Sequence, residues 1–452
     1  MVRVIPGVEV KVVKELIPPA AYPSGVVALI GTSEKGPELT TVHVGSWREF
    51  ADTFGASLDY TLTQDAKQAF QNGVFECVVT RIIGKGGESS SYTLKDAEKA
   101  DTVELKARVI GTEGNKIEFS IEKGTAENTV RLLVSDGVTF EVFDDLVMDP
   151  KSDKYLVKYV NDRSALVTAT DLKSKTAAPK NNPVPVQTTL KGGKNPGAPT
   201  KESYEAALEK LEAVPEVDMV LACEVSDPAI HALIEAHCKN MSTDACGRIG
   251  IGTVEKDETI EDIVKRTNVM ASDRFVIVAP HGVAGALAGL ISRLDYYESP
   301  TFKPISGLSE LEKYYTPSQL RQLLNAGILP VMAQKGRGII VVKGITTSKE
   351  QISVIRTTDH AVRLTKSTGE LFIGTLNNVT GRSALKEKLT ELMIRMEKEG
   401  SIVPSTDLTQ PAFMVDVYSS QLDFAQGIVR VDLAIRPVRA IDYIYATINV
   451  QA

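Results

Sequence analysis

Three groups of residues in the chain have side chains able to do chemistry. Cys223, His231, His237, Cys238 and Cys246 are metal-ligand types gathered in one stretch. Zinc sites use close pairs such as C-x-x-C or H-x-x-x-H, and neither occurs there. A helix over 228–239 would put His231 and Cys238 on one face and turn His237 away. Buried cysteine packs as a small hydrophobe, so core and surface roles are expected and no metal. Gly282, Gly285 and Gly289 follow an apolar strand, where a phosphate-cradling loop would stand. Their spacing is neither G-x-G-x-x-G nor a P-loop, and no Lys-Ser/Thr pair follows. Close packing of small residues on a helix is expected instead. Asp359-His360 and His281 offer acid–base groups, but no G-x-S-x-G elbow supplies a nucleophile. Asp359 and His360 are read as polar positions near a strand end. No cofactor and no catalytic residue is expected.

The elements that would carry these residues divide the chain. Residues 1–25 form an arm: Val8, Val10 and Val12 alternate with Glu9 and Lys11, and Pro18, Pro19, Pro23 and Gly25 follow. A short strand on a proline-rich tether builds no core and must pair elsewhere. Residues 26–84 and 200–305 alternate strands and helices, the pattern of a parallel, helix-covered sheet. Between them, 85–199 is strand-rich and bounded by flexible seams, the first at 84–91. It reads as an inserted β-rich domain. Residues 306–452 form an α+β domain completed by the arm. Its clearest helix spans 383–400, with Leu385, Leu389, Leu392, Met393 and Met396 at helical spacing and Ser383 as cap. Alternating strands follow at 428–436 and 441–450, the latter carrying Ile444, Ala446, Ile448 and Val450.

The 452 residues are 43% hydrophobic and 24% charged, enough to build sizeable cores in several domains. A net charge of -7 argues against nucleic acid as a partner, because phosphate binding needs a basic surface. No run approaches the ~20 apolar residues of a membrane helix. The N-terminus lacks signal-peptide patterning, and four cysteines make no disulfide framework. Synthesis in cytoplasm is expected, without direct membrane insertion.

Several motifs, in order along most of the chain, resemble those of contractile tail sheath proteins of phages and R-type bacteriocins. Pro6-Gly7-Val8-Glu9-Val10 resembles the family's opening PGVxV, and Gly31-Thr32-Ser33-Glu34-Lys35-Gly36-Pro37 its G-x-A-x-x-G-P turn. Ser46-Trp47-Arg48-Glu49-Phe50, Phe70-Gln71-Asn72-Gly73, Gly111-Thr112-Glu113-Gly114-Asn115 and Leu190-Lys191-Gly192-Gly193 resemble further landmarks. So do Leu323-Leu324-Asn325-Ala326-Gly327-Ile328 and the closing Pro437-Val438-Arg439-Ala440-Ile441-Asp442-Tyr443-Ile444. The family's W-G-A-R-T and F-E-P-N are replaced by Lys343-Gly344-Ile345-Thr346-Thr347 and Phe372-Ile373-Gly374-Thr375.

The resemblance implies a subunit that polymerises in six-fold helical rings around an inner tube and contracts to drive that tube through an envelope. Its partners would be itself, the tube protein, and baseplate and tail terminator proteins, within a virion tail or tail-like particle. The terminal domain would face the tube and the inserted domain the outside. Val8, Val10 and Val12, with Ile444, Ala446, Ile448 and Val450, are expected to link subunits by strand addition. Lys386, Lys388, Arg395 and Lys398 are expected to face the tube. A non-contractile shell or scaffold protein and an α/β enzyme built on 200–305 are the alternatives.

Overall fold

The computed structural model describes residues 24–446. The chain first lays down β1 (Val26–Gly31), β2 (Thr41–Val44), α1 (Trp47–Phe54), α2 (Thr61–Gln71) and β3 (Cys77–Arg81). Every residue of β1 and β3 is buried, as central strands covered on both faces must be. Ser46 caps α1 by accepting from the Glu49 amide.

An inserted domain follows: β4 (Ser89–Lys95), β5 (Asp101–Ile110), β6 (Glu118–Lys123), β7 (Val130–Ser135), β8 (Phe140–Leu146), α3 (Leu156–Arg163), β9 (Val167–Asp171) and β10 (Val186–Thr189). Its strands make two sheets, β4-β5-β9 and β10-β6-β7-β8. They enclose a separate core that includes Leu105, Leu132, Leu146 and Val160. The seam expected at 84–91 is partly structured, because its last residues open β4. Entry and exit run side by side: the Glu88 amide donates to Lys194 O at 3.0 Å, Ser91 to Lys191 O at 2.8 Å, and Gly197 to Lys85 O at 3.0 Å. A Cβ at Gly84 would lie 2.0 Å from Gly197 O, so only glycine allows the two chains this close.

The chain then returns through α4 (Lys201–Glu212), β11 (Val217–Ala222), α5 (Pro228–Thr243), β12 (Ile249–Thr253), α6 (Ile260–Val269), β13 (Phe275–Ala279) and α7 (Ala284–Arg293). It continues through β14 (Pro304–Ile305), α8 (Pro317–Ala326), β15 (Leu329–Gln334) and β16 (Gly338–Val341). One nine-stranded sheet results, in the order β14-β16-β15-β13-β12-β11-β1-β3-β2. Its centre is parallel, and antiparallel strands close both edges. Apolar cores cover its two faces. The sheet runs on to Val341, past the boundary expected at 305, because β15 pairs in parallel with β13.

The last region holds α9 (Ile352–Glu370), α10 (Val379–Lys398), β17 (Phe413–Tyr418), α11 (Gln421–Ala425) and β18 (Arg430–Ile435). Helix α10 buries Leu385, Leu389, Leu392, Met393 and Met396, the stripe read from the sequence. It starts a turn earlier than expected. Asn378, accepting from the Gly381 amide, is the cap, and Ser383 lies inside the helix.

Candidate assembly surface

The groups with chemical potential are structural. All four cysteines are buried and unpaired. Helix α5 buries both His231 and His237, although the two contact different neighbours. His237 Nε2 accepts from Arg248 Nη1 at 2.7 Å, and Arg248 also donates to the Leu211 and Val214 carbonyls at the end of α4. Nε2 of His231 lies 2.9 Å from Val225 O. Burial lowers both imidazoles to about 4. Among the described residues no group of His, Cys, Asp or Glu could hold a metal ion.

A Cβ at Gly285 would lie 2.4 Å from Asp65 O, and one at Gly289 2.3 Å from Ala69 O. Helices α2 and α7 therefore cross backbone on backbone, and the glycines serve that contact.

Asp359 and His360 lie within α9, not near a strand end. Asp359 pairs with Arg274 at 2.5 Å, and the His360 ring stacks on Tyr296 at 3.9 Å between centroids. Burial lowers His360 to about 4. The same helix sends Arg363 to Asp218 at 2.6 Å and to the Val217 and Gly247 carbonyls at 2.8 Å. Arg356, buried, donates to the carbonyls of Leu294 and Asp295 and to the Ser24 hydroxyl, each at 3.1 Å. Asp218 also accepts the Gly25 amide. Paired, largely buried charges thus bolt α9 to the starts of the central strands β11 to β13 and hold the first described residues at that seam. Breaking one partner of such a pair costs more than the pair itself contributes.

Beyond this anchor the terminal region is open. Strands β17 and β18 pair only with each other among the described residues, leaving both outer edges without a partner strand. Phe413, Val415, Leu433 and Ile435 turn toward α10 but stay half-buried. On the other face Met414 is 62% exposed. Of the twenty-five exposed large hydrophobic residues among those described, fifteen lie between Val362 and Tyr445. Several gather at one end: Ile373 and Leu376 before α10, Val379 at its first position, and Leu422 and Phe424 on α11. Asn377 draws these segments together by donating to Ser419 Oγ at 3.3 Å and Ile428 O at 3.4 Å. Exposed hydrophobic residues concentrated in one region mark an interaction surface.

Of the residues expected to link subunits, Val8, Val10, Val12, Ile448 and Val450 lie outside the described residues. Ile444 and Ala446 are exposed, in a stretch with no strand pairing among the described residues. That stretch is tethered at its start, where Gln351 Nε2 donates to Ala440 O at 3.1 Å and to Asp442 at 2.8 Å. On α10, Lys386 pairs with Asp416 of β17 at 3.2 Å and Lys388 with Glu391 at 3.0 Å, while Arg395 and Lys398 are exposed. The exposed apolar end was missed in the sequence. Its residues are scattered over a turn, the start of α10 and the short helix α11, too short a run for periodicity to mark a face. No helix among the described residues is long and apolar enough to cross a membrane.

Comparison with known proteins places this architecture. The chain aligns with the tail sheath protein of Staphylococcus phage Twort at 26% identity over 331 residues, 67% of this chain and 52% of that protein. It thus spans about half of that relative's length. The sheath tail protein from Desulfitobacterium hafniense has the same fold, with a TM-score of 0.68 at 16% identity, covering 96% of this chain and 97% of that one. The contracted helical sheath of the anti-feeding prophage gives 0.59 at 14% identity over 99% of both chains. Residues 197–347 match the phage tail sheath protein central domain and residues 346–451 the phage tail sheath C-terminal domain. Those two matches together take in more than half of the 452 residues, and the chain belongs to the phage tail sheath protein family.

Proposed function

We propose that the chain is the sheath subunit of a contractile tail, polymerising in helical rings around an inner tube and contracting to drive that tube through a target envelope. The carrying observation is the terminal region: an open-edged two-stranded sheet with most of the exposed hydrophobic residues around it. An open edge is a template for strand addition. The arm at 1–25, through Val8, Val10 and Val12, and the segment of Ile444, Ala446, Ile448 and Val450 would supply strands to neighbouring subunits. Main-chain hydrogen bonds would then hold the mesh while the domains move as rigid bodies. The driving force would be the difference in buried interface between extended and contracted states, with no nucleotide consumed. The role is structural rather than catalytic.

The partners would be further copies of the chain, the tube protein, and the baseplate and terminator proteins at the tail's ends. The protein would be made in host cytoplasm and assembled into a virion tail or tail-like particle. Helix α10, with Lys386, Lys388, Arg395 and Lys398, is the proposed tube contact.

Negative-stain microscopy of the purified protein tests the reading. Long striated tubes support it, closed shells favour a scaffold, and small ligand-stabilised oligomers favour an enzyme. Deleting residues 1–20 should leave a folded monomer that forms no tubes; normal polymerisation by that variant would rule out exchange of the arm.

A further inference from the structure

In the nine-stranded sheet the chain order reverses between β1 and β11: one branch leads from β1 to β3, the other from β11 through β12 and β13. Open α/β sheets bind ligands at such a switch point, outside the carboxyl ends of the strands. Here the position is filled from within. Asp65 of α2 is fully buried, and each of its oxygens accepts one backbone N–H at 2.9 Å: Gly285 in the first turn of α7, and Glu224 just after β11. The Glu224 carboxylate in turn meets Nε2 of His281 at 2.9 Å, and Nδ1 of that ring lies 2.9 Å from Val254 O after β12. Glu224 has φ +57°, a left-handed conformation rare for a residue with a side chain and concentrated at functional positions.

We propose that Asp65, Glu224 and His281 form a proton-binding joint that couples the grip of α2 on α7 to pH near neutrality. Two carboxylates and one imidazole meet where water does not reach Asp65. The facing groups are Glu224 and the buried thiol of Cys223 after β11, and His281 after β13; α7 offers only its amide. With both acids ionised, the cluster holds one negative charge more than His281 can balance. A proton on Asp65 removes that excess. Burial first, then the charge of Glu224, raises Asp65 to about 7. The hydrogen bond to Glu224 raises His281 above its ordinary value.

The sign follows from linkage. A carboxyl raised on folding contributes stability that is full below its unfolded pKa, near 4, and lost as pH rises through its folded pKa. His281 has the same sign, but only above its unfolded value near 6.5. His231, His237 and His360, lowered by burial, act oppositely between about 6.5 and 4. The wild-type profile is therefore a sum, and a difference between variants isolates Asp65.

The test is thermal and urea unfolding of the full chain in steps from about pH 4.5 to 8, with Asp65→Asn and His281→Asn beside wild type. The ratio of unfolding constants between wild type and Asp65→Asn should change about tenfold per pH unit between about 4 and 7, then level off. A constant ratio across that window, or a profile moved there only by His281→Asn, overturns the proposal. A readout that needs no Asp65 variant is the infrared C=O stretch of a protonated carboxyl. Wild type should retain this band at about pH 6, where ordinary carboxyls have lost it, and Glu224→Gln should move its midpoint down. Absence of the band in wild type also overturns the proposal.

Discussion

Replacing Gly289 with alanine separates two effects of opposite sign. In an exposed helix interior, glycine to alanine gains up to about 1 kcal/mol, because glycine gives up more backbone freedom on folding. At Gly289 the added Cβ would lie 2.3 Å from Ala69 O and 2.8 Å from Ala69 Cα. Both are backbone atoms of α2, so no side chain can rotate aside and the helices must move apart. Overpacking of this kind costs roughly 1–3 kcal/mol, and the flanking contacts of Leu287, Leu290 and Ala66 loosen with it. The net expectation is destabilisation of about 2 kcal/mol, and about 5 °C in Tm for a domain of this size. Gly369, in the last turn of α9, is the internal control: a Cβ added there would meet nothing within 4 Å. Gly369→Ala should leave Tm unchanged or raise it slightly. Thermal unfolding by circular dichroism reads both, and hydrogen exchange should place the loss at α2 and α7. If Gly289→Ala stabilised the protein as an exposed glycine would, the backbone-on-backbone crossing would be refuted.

Arg363→Met should cost roughly 2 kcal/mol, because it leaves the largely buried Asp218 without its cation; Asp218→Asn with Arg363→Met should recover part of that in a double-mutant cycle. His360→Phe keeps a ring against Tyr296 and removes a titration. A histidine held near 4 contributes stability above its unfolded pKa and loses it as pH falls. The difference between wild type and this variant should therefore shift by about 1.4 kcal/mol per pH unit between about 6.5 and 4, read from urea unfolding at each pH. Lys386→Glu with Lys388→Glu should weaken co-sedimentation with the tube protein while self-assembly and folding stability change little, since the Lys386–Asp416 pair is exposed. Unchanged co-sedimentation would remove α10 as the tube contact.

The parallel sheet was legible because its strands are unbroken apolar runs, Val26–Gly31 and Phe275–Ala279 among them, spaced by amphipathic helices. Helix α9 was not. Its inward face carries Ser353, Arg356, Thr357 and Asp359, residues that a hydrophobic-period reading assigns to solvent. Asp359 is met there by Arg274 and Arg356 by the Leu294 and Asp295 carbonyls, and that complementarity appears only when distant segments are brought together. Strand β4 was hidden by Ser89-Ser90-Ser91, a composition typical of linkers. Strand β18 was read from its alternation, whereas its partner β17 was not, although both alternate cleanly. The motifs carried the family; the apolar end formed by Ile373, Leu376, Leu422 and Phe424 needed tertiary structure to become one surface.

The paired entry and exit of the inserted domain has a consequence for how such chains diversify. Lys85 and Gly197 are hydrogen-bonded neighbours, so the gap the sheet must bridge is the same whatever lies between them. The insert also keeps its own core. Loop-closure entropy grows only slowly with length, so that stretch can lengthen, shrink or be exchanged at little thermodynamic cost to the body. The stem acts as a socket, free to acquire new inserted modules while the framework that carries it stays fixed.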